Sequence, residues 1–260
     1  MEFELGGKSA LITGASQGIG EAVAYALADQ GVNLHLTARN EKNLQRVRQK
    51  ILSESDVRVE IHPLDLTEQD AIVKLTDSIG EIEILINNAG AIPGGDLSHV
   101  DEFTWRRGWE LKVMGYIDLC RATYPKMKAN GGGVIINNIG NAGEVFDAQY
   151  IAGTSGNASL MAFTRALGGR SLDDNIRVIG INPGPVDTER IYALLKNRAQ
   201  TELGDKNRYK ELLERYPLGR PAYLREVTDL IVFLASFRAG YISGTIITVD
   251  GGISSRSSII

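Results

Sequence analysis

The sequence predicts an α/β fold, a doubly wound parallel sheet of seven strands with helices on both faces. Short apolar, β-branched runs recur along the chain at regular intervals, as expected for strands that are buried on both sides. Segments rich in Ala, Leu, Glu, Lys and Arg, with apolar residues at helical spacing, separate most of these runs. Strands and helices that alternate in this way form parallel sheets through right-handed crossovers.

The apolar runs predict the strands in chain order. The first run leads into the glycine-rich residues 13–20, and a helical pattern follows over residues 21–30, which is the order of a strand–turn–helix unit. The long, charged, helix-prone segment 188–218 lies between the sixth strand and the last helix. The predicted strands cover residues 10–13, 33–37, 58–62, 82–86, 134–137, 177–181 and 246–249.

Composition and charge favour one globular domain over residues 1–260. The chain is 43% hydrophobic, which is enough for a sizeable core. Its net charge of −4 is dispersed, which argues against nucleic acid or an anionic membrane as a partner. A single cysteine, Cys120, excludes an internal disulfide and favours a cytoplasmic location. No apolar run is long enough to span a membrane, and the charged residues 1–8 lead into the first strand, so no signal peptide is expected.

The glycine-rich stretch is typical of a phosphate-binding turn in a Rossmann-type fold. Glycines let the backbone approach a pyrophosphate, while free N–H groups and the positive dipole end of the next helix face the anion. An ordinary turn that requires glycine is the alternative. The cofactor-binding residues predicted in this stretch are Gly14, Ser16, Gln17, Gly18, Ile19 and Gly20.

Arg39 follows the second predicted strand and indicates which dinucleotide binds. Sites specific for NAD carry an acidic residue here for the ribose hydroxyls, whereas an arginine accommodates a 2′-phosphate. Ala38 brings no carboxylate that would repel that phosphate. The sequence therefore favours NADP over NAD, although a solvated arginine at a strand end would look the same.

Five motifs in this order resemble those of the short-chain dehydrogenase/reductase family along nearly the whole chain. They are residues 13–20, 65–66, 87–90, 182–188 and 249–252. The resemblance implies an oxidoreductase that acts on a small molecule and assembles as a homo-oligomer, either a dimer or a tetramer. It further implies that Asp65 and Leu66 contact the adenine, that Asn88, Ala89 and Gly90 line the cofactor, and that Pro183, Gly184, Val186 and Thr188 belong to the loop that holds the nicotinamide amide.

The catalytic positions depart from the family pattern. In the family a serine steadies the substrate oxygen, a tyrosine transfers the proton, a lysine four residues later lowers the tyrosine pKa, and an asparagine anchors a water relay. Counting from the flanking motifs places these four positions on Gly140, Gly153, Asn157 and Lys112, respectively. The sequence thus predicts a substituted tetrad, with open volume beside the two glycines.

Tyr150 and Lys112 are the candidate catalytic residues. Tyr150 precedes Gly153 by three residues, so that on a helix its hydroxyl could reach over the vacant position. Lys112 would have a lowered pKa if it is partly buried, and it could then donate a proton. The alternative is that Tyr150 packs the substrate loop and that Lys112 is a salt-bridged surface residue.

Other polar residues give weaker indications. Glu144 and Asp147 follow the fifth strand and are either bases or solvated loop acids. The histidines His35, His62 and His99 are scattered without the spacing of metal ligands, so no metal site is predicted.

Segment 188–218 is expected to act as a substrate lid, because ligands of such folds bind outside the carboxyl ends of the strands. Its excess of Lys and Arg fits an anionic substrate, or else a solvated helical face.

Two classes of function remain open from the sequence. The favoured one is an NADP-dependent oxidoreductase of a carbonyl or alcohol with a rearranged proton-donor set. The alternative is a dinucleotide-binding protein without ordinary redox turnover, either a regulatory or binding subunit or a lyase or isomerase.

Overall fold

Seven parallel strands form a single sheet in the computed structural model of the chain. The predicted strands are confirmed, with ends that differ from the prediction by at most two residues. They are β1 (Ser9–Thr13), β2 (Asn33–Ala38), β3 (Val59–Pro63), β4 (Ile84–Asn87), β5 (Gly133–Asn138), β6 (Ile176–Pro183) and β7 (Thr245–Val249). Their order in the sheet is β3-β2-β1-β4-β5-β6-β7.

Helices cover both faces of this sheet, as predicted. The helix after β1 begins at Gly18, three residues before the predicted start, because the low helix propensity of glycine conceals the first turn. The helices are α1 (Gly18–Ala28), α2 (Glu41–Glu54), α3 (Ala71–Ser78), α4 (Glu102–Trp109), α5 (Gly115–Ala129), α6 (Ile151–Gly168), α7 (Glu189–Leu203), α8 (Tyr209–Leu213) and α9 (Leu224–Ala235).

The core consists of two apolar layers. Helices α1, α2 and α9 pack on one face of the sheet and bury residues such as Val23, Leu44 and Ile231. Helices α3 and α5 cover the other face, where Cys120 of α5 lies buried, and burial raises the pKa of its thiol to about 12. The cysteine therefore serves packing.

The structure describes residues 3–256. Residues 1–2 and 257–260 of the predicted domain lie outside the described residues, and so does the start of the charged segment 1–8. Within that range, no helix combines the length and the apolar character that crossing a membrane requires.

The strand order places a crevice between β1 and β4. The chain turns to one side of β1 for β2 and β3, and it then crosses to the other side for β4. Because the connections on either side of this switch point diverge, the carboxyl ends of these two strands open into a ligand crevice.

Candidate active site

A cleft of about 2090 Å³ runs along the carboxyl ends of the strands. The loops after β1, β4, β5 and β6 line it, and so do α7 and α8. Most residues predicted to form the site reach this cleft: Gly14, Ser16, Gln17, Gly18, Ile19, Arg39, Leu66, Asn88, Ala89, Gly90, Lys112, Gly140, Tyr150, Asn157, Pro183, Gly184, Val186 and Thr188. Three predicted residues, Gly20, Asp65 and Gly153, are not in its lining.

The turn after β1 has the backbone geometry of an anion cradle. Gly14 and Gly18 have φ of +65° and +60°, the left-handed region that favours glycine. Gln17 is the N-cap of α1, and its side chain makes no capping hydrogen bond. The first N–H groups of α1 therefore remain available to a bound anion.

Gly20, in the first turn of α1, packs directly against the glycine turn. A Cβ at this position would collide with the carbonyl oxygen of Gly14 and with Nδ2 of Asn88. Gly20 therefore allows the close packing of α1 against the turn and the loop after β4.

A hydrogen-bond network joins the loops after β1, β4 and β5. Asn88 Nδ2 donates to the carbonyl oxygens of Thr13 and Gly14 at 3.0 and 3.3 Å, and Asn138 Nδ2 donates to Asn88 Oδ1 at 2.7 Å. The Thr13 hydroxyl accepts from the N–H groups of Asn88 and Ala89, both at 2.9 Å. Thr13 was not among the predicted site residues, and its place at the end of β1 is the sequence signal for this role.

Arg39 directly follows β2 and lines one end of the cleft. Its side chain is 62% exposed, and its guanidinium lies 3.9 Å from the Asp65 carboxylate, a distance at which an exposed ion pair is weak. Burial raises the pKa of Asp65, but hydrogen bonds from Thr67 to its carboxylate outweigh this and lower it. Asp65 is therefore held as an anion by its own turn.

Tyr150 occupies the volume beside Gly153. A Cβ at Gly153 would collide with Cε1 and Cζ of the Tyr150 ring and would lie 2.6 Å from its Cδ1. The expectation of open volume at this glycine is therefore wrong, because the aromatic ring of the preceding turn fills it. Within residues 3–256 the Tyr150 hydroxyl has no hydrogen-bond partner, and the residue lines the cleft.

The surroundings of Gly140 are more open. A Cβ there would meet only Asn157 Nδ2 at 3.2 Å and the Pro183 carbonyl oxygen at 4.0 Å. Gly140 has φ of +118°, so that any other residue would be strained at this position. Asn157 is buried and donates from Nδ2 to the Gly140 carbonyl at 3.3 Å, while its Oδ1 has no partner within the described residues.

Lys112 lies in a single π-helical turn, Glu110–Met114, between α4 and α5. Its aliphatic chain passes over Gly90, where a Cβ would lie only 2.8 Å from Lys112 Cδ. Its ammonium donates to the Ile139 carbonyl at 2.6 Å. Burial, and secondly the positive charge of Arg190, lower the pKa of Lys112 to about 7. Since Lys112 has no ion-pair partner among the described residues, the alternative of a salt-bridged surface lysine is wrong.

The two loop acids differ in their surroundings. Glu144 accepts hydrogen bonds from Asn182 Nδ2 at 3.1 Å and from the Thr248 hydroxyl at 2.9 Å, and it does not reach the cleft. Asp147 lines the cleft and accepts from the N–H group of Gln149 at 2.8 Å. Only Asp147 is therefore placed to meet a ligand.

Segment 188–218 folds over the cleft with an apolar core of its own. Leu195 and Ala199 of α7 and Leu212 of α8 are buried together. Two of its arginines, Arg198 and Arg215, both bind the carboxylate of Glu202, which reduces the free positive charge of this segment.

The histidines are less scattered than the sequence suggests. His35 and His62 lie on the neighbouring strands β2 and β3, and their Nδ1 and Nε2 atoms are 3.2 Å apart. Sequence spacing misses this pair because the strand register, rather than the chain, brings the two rings together. His99 is separate and contacts Asp96 at 2.7 Å.

Known proteins share this architecture along nearly their whole length. The family model described as enoyl-(acyl carrier protein) reductase matches residues 14–254. The NADPH-dependent reductase BacG of Bacillus subtilis (strain 168) is 31% identical over 256 residues, 94% of this chain and 97% of that protein. The 2,3-dihydro-2,3-dihydroxybenzoate dehydrogenase of the same strain is 31% identical over 250 residues, 95% of each chain. The crystal structure of L-sorbose reductase from Gluconobacter frateurii, complexed with NADPH and L-sorbose, has a TM-score of 0.91 at 32% identity and covers 97% of this chain and 98% of that chain.

Proposed function

The chain belongs to the short-chain dehydrogenase/reductase family, and we propose that it is an NADP-dependent oxidoreductase that acts on a carbonyl or alcohol with a rearranged set of proton donors. The observation that carries this proposal is the position of Tyr150, whose ring stands over Gly153 in the wall of the cleft. Gly153 corresponds to the position of the family's catalytic tyrosine, so a phenol reaches the same region from the preceding helical turn.

The cofactor is assigned to the end of the cleft that the glycine turn forms. The uncapped N-terminus of α1 and the positive φ of Gly14 and Gly18 fit a pyrophosphate. Leu66, with Asp65 behind it, fits the adenine end, and the loop after β4 (Asn88, Ala89 and Gly90) fits the middle of a dinucleotide. Pro183, Gly184, Val186 and Thr188 line the opposite wall, where the nicotinamide amide would be held.

NADP rather than NAD is supported by charge at the end of β2. Arg39 offers an exposed guanidinium with only a weak ion pair, and Ala38 brings no carboxylate. A guanidinium binds a phosphate through charge-assisted hydrogen bonds. The relatives BacG, by its name, and L-sorbose reductase, by its complex, use NADPH, which supports the same assignment here.

The bound nicotinamide would supply or accept the hydride, and residues of this chain would donate or accept the proton. In reduction the substrate oxygen gains negative charge and must be protonated from close range. The Tyr150 hydroxyl has no partner within the described residues, so it is free to donate to that oxygen, or to accept its proton in oxidation.

Lys112 is proposed as the second proton-carrying group. Its pKa of about 7 allows it to exchange a proton near neutral pH. Its hydrogen bond to the Ile139 carbonyl holds the ammonium beside Gly140, the position that corresponds to the family's serine. Lys112 itself stands where the family has its asparagine.

Two further features support a tetrad that is substituted as a unit. The φ of +118° at Gly140 is unsuited to a serine. Asn157, at the position of the lysine, is neutral; the residue lines the cleft, and its Oδ1 is buried without a partner among the described residues.

Segment 188–218 and its Arg190 line the part of the cleft where the substrate is proposed to bind. Segment 188–218 is proposed as the lid, since its helices α7 and α8 line the cleft. Arg190 also lines the cleft, and its one hydrogen bond among the described residues goes to the Gly90 carbonyl at 3.4 Å. A guanidinium without a carboxylate partner favours an anionic substrate.

A homo-oligomer, either a dimer or a tetramer, is also proposed. Strand β7 is an edge of the sheet, and all five of its residues are only partly buried in the single chain. An open edge of this kind is usually covered by another element or another chain.

The test is the oxidation of NADPH and NADH with a panel of carbonyl compounds, some of them carboxylates. Tyr150→Phe removes only the hydroxyl, and its kcat is expected to fall by about a hundredfold while NADPH binding is unchanged. The matched control is Tyr241→Phe, because Tyr241 is 97% exposed and does not reach the cleft. Full activity of Tyr150→Phe would exclude this tyrosine as the donor. Tight NADPH binding without turnover of any carbonyl or alcohol would favour the non-redox alternative.

A further inference from the structure

Three potential metal ligands lie together on strands β2 and β3, outside the cleft. His35 pairs in register with Glu60, and His62 follows Glu60 by two residues on the same face of the sheet. His35 Nδ1 is 3.2 Å from His62 Nε2 and 3.7 Å from Glu60 Oε2. All three donor atoms lie within 4.8 Å of one another.

These separations fit ligation of one ion. With bonds of 2.0–2.1 Å in a tetrahedron, the donor atoms of a zinc site lie about 3.3 Å apart. The His35–His62 separation is close to this value. The Glu60 carboxylate lies farther away, at 3.7 Å from His35 Nδ1 and within 4.8 Å of His62, so its side chain must turn toward both rings to bind the same ion. Glu60 is 63% exposed, so an ion can reach the site and water can complete its coordination.

The protonation states favour a cation. Burial lowers the pKa of both His35 and His62, and the carboxylate of Glu60 opposes this shift without reversing it. Neutral imidazole is the form that binds metals. Arg58 is the positive group near His35, and its charge opposes a cation there, but the carboxylate of Glu60 supplies the compensating negative charge.

We propose that His35, Glu60 and His62 form a binding site for one divalent transition-metal ion of the zinc type. Two imidazoles and a carboxylate are a donor set that such ions prefer over Mg²⁺ or Ca²⁺. The ion would tie the edge strand β3 to β2. This inference does not depend on the proposed redox function, because none of the three side chains lines the cleft.

The experiment titrates the tag-free full chain, first stripped with EDTA, with Zn²⁺ in a calorimeter and with Co²⁺ in a spectrophotometer. Wild-type protein is expected to bind one equivalent of Zn²⁺, to show Co²⁺ absorption bands of a low-coordinate site, and to unfold at a higher temperature with Zn²⁺. Glu60→Gln and His62→Gln are each expected to weaken Zn²⁺ binding by at least about tenfold. Glu60 is exposed, so its variant keeps the fold even if His62→Gln does not.

His99→Gln is the matched control, because it removes a histidine that lies outside the cluster and pairs with Asp96. The proposal requires this variant to bind Zn²⁺ like wild type. If wild type and Glu60→Gln bind Zn²⁺ equally, or if only His99→Gln loses binding, the proposal is overturned, and the close contact of His35 and His62 is then a hydrogen bond between two imidazoles. NADPH binding is measured in the same variants and is expected to be unchanged.

Discussion

Tyr150 and Gly153 share one volume, so each of them depends on the identity of the other. The ring of Tyr150 stands where a side chain at 153 would be, and the backbone at Gly140 has a φ that suits glycine. Restoring a tyrosine or a serine at either position would therefore disturb its neighbours. At the residue scale, the packing at position 153 and the backbone at position 140 both suit glycine.

Gly153→Ala tests this dependence. The added methyl group would overlap the Tyr150 ring and force it to move. We expect carbonyl reduction to fall by about a hundredfold, as in Tyr150→Phe, with unchanged affinity for NADPH. Steady-state kinetics and calorimetry measure the two effects. Gly80→Ala is the control, since a Cβ at Gly80 would meet no atom within 4 Å; wild-type activity of Gly153→Ala would contradict the assignment.

The lowered pKa of Lys112 predicts that kcat/KM for reduction depends on pH. Its pKa is lowered to about 7, so the protonated form is present below that pH and is lost above it. If this proton serves reduction, kcat/KM should fall by about tenfold per pH unit above about pH 7. Lys112→Met should be slower and lack this descent. A descent that persists in Lys112→Met would assign it to another group.

The pH dependence of the free energy of unfolding gives an independent measure of the Lys112 pKa. In the unfolded chain a lysine has a pKa of about 10.4, so between pH 7 and that value the unfolded chain binds more protons than the folded one. The free energy of unfolding contributed by Lys112 therefore rises with pH across this window. Denaturant unfolding at several pH values should show the rise in wild type and lose it in Lys112→Met.

At the scale of elements, strand ends and helix starts bring the polar groups of the cleft together. The hydrogen bonds among Thr13, Asn88 and Asn138 join the ends of three strands that are distant in sequence. The π-helical turn Glu110–Met114 carries Lys112 to the same edge, as such turns often do at functional sites.

The proposed lid, segment 188–218, predicts that substrate binding can be weakened without weakening cofactor binding. Leu212 of α8 is buried against α7, so Leu212→Ala should loosen this packing without touching the glycine turn. We expect KM for the substrate to rise by about tenfold, with NADPH affinity nearly unchanged. Leu218→Ala in the same segment is the control, because Leu218 is 84% exposed. Equal KM values for the two variants would argue against a lid.

At the scale of the whole molecule, the partly exposed edge strand β7 predicts assembly with further copies of the chain. The partly exposed residues of β7, together with Phe237 and Tyr241 at 55% and 97% exposure, leave apolar surface at one end of the sheet. Light scattering coupled to size-exclusion chromatography should give two or four times the chain mass of 28.3 kDa. A mass of 28.3 kDa across the concentration range would contradict the homo-oligomer.

Much of the fold could be predicted from the sequence because its signals are local. Apolar runs identified all seven strands, and the glycine stretch identified the strand–turn–helix unit that includes Gly14 and Gly18. The start of α1 was predicted three residues late, because glycine inside a helix hides its first turn. Arg39 and Lys112 could be singled out from their places relative to these motifs.

The sequence by itself determined the α/β architecture and the family, and it predicts the positions at which the family's catalytic residues are replaced. Only the tertiary structure decided how those positions are used: that Tyr150 fills the space at Gly153, that Lys112 has no ion-pair partner among the described residues, and that His35 meets His62. The physical reason is that burial, pKa and side-chain contact depend on strand register and packing between residues far apart in the chain, which local periodicity does not record.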